Sequence, residues 1–259
     1  VRHPFDLGRE EQLDKAFFAR NPDDRKRSDD PALLEVSNQY NDWANFPPLQ
    51  WTPYTRVDRP WAKRIAKAYA RARSCPECLN VREAYHQFRY EIDHQFEMMP
   101  VVVEYYGEPG SIADPNLETT GGFVGPYQDS WEMIQDVREH GHLWVWRGGD
   151  PVPLLPDVDN WKFRAVHDVF GHAAHGLSFG WRGEGNAWAQ HTKMFSPLAR
   201  EVLTTETLGQ VSWVFAGPYA LHAAKGEFHF PEQKAIILPH KFQSTPQLRE
   251  AYKEFVGFF

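Results

Sequence analysis

Val101-Val102-Val103-Glu104-Tyr105-Tyr106 and His142-Leu143-Trp144-Val145-Trp146 are the clear strand-like runs of this chain. Between them, Asp129-Ser130-Trp131-Glu132 has the spacing of a capping box and opens a helix expected to reach about His140. This strand-helix-strand unit lies within sequence that otherwise reads as helix. The expected fold is therefore mainly α with a small β-sheet, an α+β chain.

Towards the N-terminus, Val81, Tyr85, Phe88, Ile92, Phe96 and Met99 form one apolar stripe, which predicts a helix from Asn80 to Met98. A second helix is expected from Trp61 to Arg73. Its inner face is Trp61, Ile65, Tyr69 and Ala72, and its solvated face Lys63, Arg64, Lys67, Arg71 and Arg73. Residues 1–60 carry mixed charge and many prolines, including Pro47, Pro48, Pro53 and Pro60. They read as a short helix near Glu10–Arg20 followed by an extended N-terminal arm packed on the body. Residues 61–259 then form a single globular helical domain that binds a metal and carries the catalysis.

Towards the C-terminus, the proline-rich segment Asp150 to Asp157 leads into a helix that bears His167. Further helices are expected over Asn186–Phe195, from Ser196-Pro197 to about Trp213, and in the tail from Gln247.

The formal net charge is -7, and no basic run interleaved with aromatics appears, which argues against a nucleic-acid surface. No apolar run approaches the roughly 18 residues needed to span a bilayer, and the N-terminus lacks a charged-then-apolar leader, so a cytoplasmic protein without membrane contact is expected. The two cysteines, Cys75 and Cys78, cannot build a disulfide framework. They are expected to be ordinary thiols in a helix-helix turn.

The chemistry concentrates in His167-Asp168-Val169-Phe170-Gly171-His172. On an uninterrupted α-helix a five-residue step rotates by roughly 140°, which would part the two imidazoles. Gly171 is expected to take a left-handed conformation, turn the chain, and swing His172 back beside His167. Two histidines plus one carboxylate make the facial triad that leaves positions open on iron. Glu206 falls on the apolar face of its helix with Leu198, Val202, Gly209 and Trp213, where a carboxylate is costly unless paired or metal-bound, so it is the favoured third ligand. Glu184, between Gly183 and Gly185 at a helix start, is the second choice, with a catalytic role if it is not a ligand. Glu201 points away. Asp168 can orient bound water or a cosubstrate, and His175 and His191 can act behind the ligands.

The pattern His167-Asp168-Val169-Phe170-Gly171-His172 with a helical glutamate some thirty residues on resembles the iron site of the tetrahydropterin-dependent aromatic amino acid hydroxylases, whose motif is His-Glu-x-x-Gly-His. That resemblance implies His167, His172 and Glu206 as iron ligands, Asp168 near a pterin, and a tetrahydropterin as reductant. Phe163–His172, Gly183–Trp188, Met194–Ala199 and Thr205–Gln210 resemble an uncharacterised family from phages and actinobacteria, which implies no activity.

The functional expectation is a mononuclear non-haem Fe(II) oxygenase that takes dioxygen and a small, aromatic substrate, with a tetrahydropterin or another external reductant. Its pocket would be lined by Phe170, Phe179, Trp181, Trp188 and Trp213, with Arg164 and Arg182 holding an anionic substrate group. Two alternatives stay open. Glu83-x-x-His86 and Glu91-x-x-His94 have diiron spacing, although on one helix they are rotated by roughly 80° from each other. A zinc hydrolase would use the same histidines. An HD-type phosphohydrolase needs a later Asp, and none follows Asp168.

Overall fold

The computed structural model describes residues 27–49, 59–108, 126–223 and 228–243. Within them, helices dominate around a two-stranded sheet, the α+β arrangement that the sequence predicts.

The first element, α1 (Pro31–Trp43), falls in the stretch expected to be extended. Asp30 caps it, its side chain accepting from Leu33 N at 2.9 Å, and Pro31 occupies the first turn, where a missing N–H costs nothing. Prolines further along the segment mask this helix in a composition reading. The residues do pack on the body: Asp30 N donates to the Ala174 carbonyl at 2.8 Å, and Asn41 Nδ2 donates to Lys193 O at 3.3 Å. The helix expected near Glu10–Arg20 and the tail helix from Gln247 lie outside the described residues.

Helices α2 (Arg59–Arg71) and α3 (Leu79–Met98) follow the expected stripes, with Trp61, Ile65, Tyr69, Val81, Tyr85, Phe88 and Ile92 all buried. The turn joining them brings Cys75 and Cys78 to a Cα separation of 5.3 Å, and the two are disulfide-bonded rather than free. Cys78 stands at the N-cap of α3, and its N–H donates to the Cys75 carbonyl at 3.1 Å, closing the turn that brings the two together.

Strands β1 (Val102–Tyr106) and β2 (His142–Trp146) pair in parallel, with Val102 opposite His142 and Tyr106 opposite Trp146. The crossover carries α4 (Ser130–Gln135), capped by Asp129 and continued by a π turn, Asp136–His140. Leu143 and Val145 of β2 face inward. Helix α5 (Asp157–Val166) packs on α3, as does α7 (Pro197–Thr204). Phe88 of α3 sits between Phe163, at 5.1 Å between ring centroids, and Phe195, at 5.4 Å. This aromatic column lies directly behind the histidines described below. Among the described residues, no helix is long and apolar enough to cross a membrane.

Among the described residues, Asp30 alone provides a side-chain cap to the first turn of α1, so Asp30→Ala should lower unfolding free energy by about 1 kcal/mol in a denaturant titration. An unchanged midpoint would show that α1 contributes nothing to the global transition.

Candidate metal centre

Helix α5 does not break at Gly171. It runs on through a π turn, His167–His172, and a 3₁₀ turn, Ala173–His175, and ends only at Gly176, which has φ 60°. A π turn bonds residue i to i+5, so a five-residue step brings side chains back toward one side, where an α turn would part them. The rings of His167 and His172 meet edge to face at 5.0 Å. The expectation that Gly171 bends the chain in a left-handed conformation is thus corrected; its role is space. A Cβ there would lie 3.0 Å from His167 Nδ1 and 3.2 Å from Cε1, so any other residue would push the imidazole from its seat by a few tenths of an ångström.

The carboxylate comes from α6 (Trp181–His191), where Glu184 lies in the first turn. Gly183 allows this approach, because a Cβ at that position would fall 1.7 Å from the Ser178 carbonyl oxygen. Glu184 Oε2 is 3.4 Å from His172 Nε2 and 3.8 Å from His167 Nε2. The three donor atoms all lie within 4.8 Å of one another. A metal at about 2.1 Å from each donor sets neighbouring donors roughly 3 Å apart, which small side-chain movements reach from here.

Hydrogen bonds on the far side of each ring set its tautomer. The Leu177 carbonyl is 2.9 Å from His172 Nδ1 and has only lone pairs, so His172 Nδ1 carries the proton. His167 Nδ1 lies 3.1 Å from His191 Nδ1, and His191 Nε2 lies 2.8 Å from Gln95 Oε1. Gln95 Nε2 donates to Met194 O at 2.9 Å, which fixes its amide orientation and leaves Oε1 as the acceptor. His191 therefore donates from Nε2 and accepts at Nδ1, and His167 donates from Nδ1. In their neutral forms both histidines present Nε2 lone pairs toward Glu184, and His167 Nε2 is buried with no hydrogen-bond partner. An orphaned buried nitrogen opposite a carboxylate suits a cation.

Electrostatics favour the neutral form at His167 and His191 and the charged form at His172. Burial pushes His167 below the ordinary histidine value and His191 well below it, so both stay neutral. Burial also disfavours the His172 cation, but Glu184 and Asp168 outweigh it and hold His172 above the usual value. Burial would raise Glu184, yet the two histidines pull its carboxyl down to about 2. Asp168 is pushed up to about 7, chiefly by burial.

Glu206, the favoured third ligand, is elsewhere. It sits in a π turn, Thr205–Gly209, after α7, and is buried as its helical position predicts. Its Oε1 accepts from the Tyr85 hydroxyl and its Oε2 from Gln210 Nε2 at 2.7 Å. Those partners, rather than a metal, offset its burial. His175 likewise leaves the cluster, its Nδ1 lying 3.1 Å from Asp29 Oδ1 where residues 27–30 cross the end of the helix.

The rings expected to line a pocket divide in the same way. Trp188 is core, donating from Nε1 to Thr204 Oγ1 at 3.1 Å and packing 6.1 Å from Trp61. Phe170 is buried 6.4 Å from His191, Trp181 pairs with Phe215, and Trp213 pairs with Tyr219. Phe179 alone of the expected rings meets a ligand, edge-on to His172 at 4.9 Å. Arg164 Nη1 donates to the Trp146 and Gly148 carbonyls at 2.6 and 2.8 Å, tying α5 to the end of β2 rather than waiting for a substrate. Arg182 stands two residues before Glu184 in α6. The diiron motifs do not converge: Glu83 and His86 are exposed, Glu91 accepts from Ser196 N and Gln87, and His94 stacks on Trp43 at 4.3 Å. Gln95 is the site residue that the sequence reading missed, although a glutamine three residues beyond Ile92 on the buried side of α3 was a signal that something polar awaited it.

No protein-family model, curated protein or solved structure matches the chain. The functional reading accordingly rests on the chemistry of these side chains.

Two outcomes follow from this geometry. Gly183→Ala drives a Cβ into the Ser178 carbonyl and should cost about 3 kcal/mol or more in a denaturant titration; a neutral result would mean that the loop yields freely. Glu206 is held up at about 7 by burial, against 4.5 for an ordinary glutamate, so between those pH values the folded chain binds the extra proton. Stability contributed by this group is therefore lost as pH rises through the window, by up to about 3 kcal/mol. Unfolding curves of Glu206→Gln should gain on the parent from pH 4.5 to 7 and run parallel above it, any fixed cost of the new amide cancelling in the slope. A constant difference would place the Glu206 titration at its ordinary value.

Proposed function

We propose that the chain is a mononuclear non-haem iron(II) oxygenase whose metal is held by His167, His172 and Glu184. The observation that carries this reading is the pair of Nε2 atoms, that of His167 buried without a hydrogen-bond partner, facing one half-buried carboxylate. Two neutral nitrogens and one carboxylate match the 2-His-1-carboxylate donor set, and iron bound there would supply open positions for dioxygen and substrate. Among the described residues no fourth His, Cys, Asp or Glu joins the group, which favours a site with open positions over a closed structural one.

The side chains around the donors have defined tasks in this reading. Leu177 O and His191 keep the ligand rings in the tautomer that presents Nε2. Phe179 shields one side of His172 and gives a planar substrate an edge to pack against. Asp168, next to His167 in the chain, would orient water or a polar group of a cosubstrate. Electrons come from outside the chain, and the resemblance to the aromatic amino acid hydroxylases implies a tetrahydropterin as their source.

A zinc hydrolase with the same ligands is the competing assignment, because two histidines and one carboxylate also suit zinc with an open fourth position.

Protein purified without chelator should carry about one iron per chain and consume oxygen with a small aromatic substrate and reductant. Glu184→Gln and His172→Ala should lose the metal with the fold retained, whereas Glu206→Gln should keep it. Tightly held zinc with hydrolytic activity would replace the oxygenase by the hydrolase, and full metal retention in Glu184→Gln would remove the ligand set itself.

A further inference from the structure

We infer that His191, held by Gln95, is a positioning residue that sets the donor state of His167. This rests on the metal-site reading above and extends it to a polar chain reaching from that site into the core. The chain runs from His167 Nδ1 to His191 Nδ1 at 3.1 Å, from His191 Nε2 to Gln95 Oε1 at 2.8 Å, and from Gln95 Nε2 to Met194 O at 2.9 Å. Its links come from three separate elements, the π turn, α6 and α3.

Direction in this chain is imposed from its far end. Met194 O can only accept, so Gln95 donates to it and presents Oε1; Oε1 can only accept, so His191 donates from Nε2 and has a lone pair at Nδ1. His167 must then donate from Nδ1, which leaves its lone pair at Nε2, facing Glu184. Had Gln95 been apolar, either His191 tautomer would be open, and the one donating from Nδ1 would make His167 accept there and carry its proton on Nε2. Position is fixed as firmly as direction. Gln95 and His191 are fully buried, Phe195 packs edge-on to His191 at 4.9 Å, and the absent side chain of Gly171 leaves the His167 ring just enough room. Ligand histidines ordinarily donate to a carboxylate, a backbone carbonyl or water. Here His172 uses a carbonyl and His167 uses a neutral imidazole, so the two ligands differ in donor strength.

The test uses the full chain titrated anaerobically with Co(II), read by its visible ligand-field absorption and by affinity. His191→Leu should weaken Co(II) binding by about 10- to 100-fold and alter the absorption band, because His167 loses its acceptor. His191→Asn restores an acceptor at the Nδ1 position and should recover affinity and spectrum. Gln95→Leu, two hydrogen bonds from the donor atom, should weaken binding less than His191→Leu but shift the band in the same direction. Circular dichroism confirms that each variant is folded, and Gln95→Leu still answers the question if His191→Leu is not. Parent-like affinity and spectrum in His191→Leu, or equal losses in His191→Leu and His191→Asn, would overturn the positioning role while leaving the metal site intact. Absence of Co(II) binding by the parent would instead overturn the site, and the positioning role with it.

Discussion

A carboxylate removed from water must find positive charge or donors nearby, and Glu184 finds two imidazoles. Only His172 is held in a state that favours a proton, because burial works against charge on His167 and His191. A proton on His172 satisfies one nitrogen and leaves His167 Nε2 facing nothing. A divalent cation held by these three side chains would satisfy all three donors together, and its binding would be coupled to loss of that proton. Gly171 and Gly183 serve the same contact: one leaves room for an imidazole, the other for the backbone approach that delivers the carboxylate.

Among the described residues, three π turns interrupt the helices, at Asp136–His140, His167–His172 and Thr205–Gly209. Each widens one helical turn and re-aims the side chains within it. The first groups His140 and His142 about the Asp136 carboxylate, at 3.2 and 2.7 Å. The second brings two imidazoles together. The third turns Glu206 toward Tyr85 and Gln210. Such turns give up regular bonding, and all three are anchored by neighbours: β2 beside the first, α6 beside the second, and α2 beside the third.

The fold was legible wherever burial follows a period. The stripes of α2 and α3, the alternation of β2 and the Asp129 cap require nothing beyond local spacing, and they stand within two residues of expectation. Helix α1 was missed because its flanking prolines resemble a loop, although Asp30-Pro31 is itself a start signal. At the site, the convergence of His167 and His172 was readable from spacing, but its cause was not. A π turn leaves no signature that composition reveals, and a glycine at its centre invites the left-handed explanation. The Cys75–Cys78 bond was lost for a related reason: only the paired geometry of the turn separates two thiols from a disulfide.

Glu184 and Glu206 show why the carboxylate of the histidine cluster was the hardest assignment. Both are carboxylates placed among buried residues, and the rule that such groups need a partner applies equally to each. They meet it in opposite ways. Tyr85 and Gln210 are hydrogen-bond donors without charge, and with only these, burial prevails and holds the Glu206 carboxyl at about 7, close to neutral form. The imidazoles beside Glu184 can carry charge or hold a cation, and the balance reverses to about 2. Tyr85 lies 121 residues from Glu206, so no local reading of α7 could have found it. The deciding quantity is therefore the kind of partner the tertiary fold supplies, not how deeply the helical face is buried. Glu184, on a glycine-flanked first turn that looks solvent-facing, becomes the charged group only because the end of the preceding π turn is folded against it.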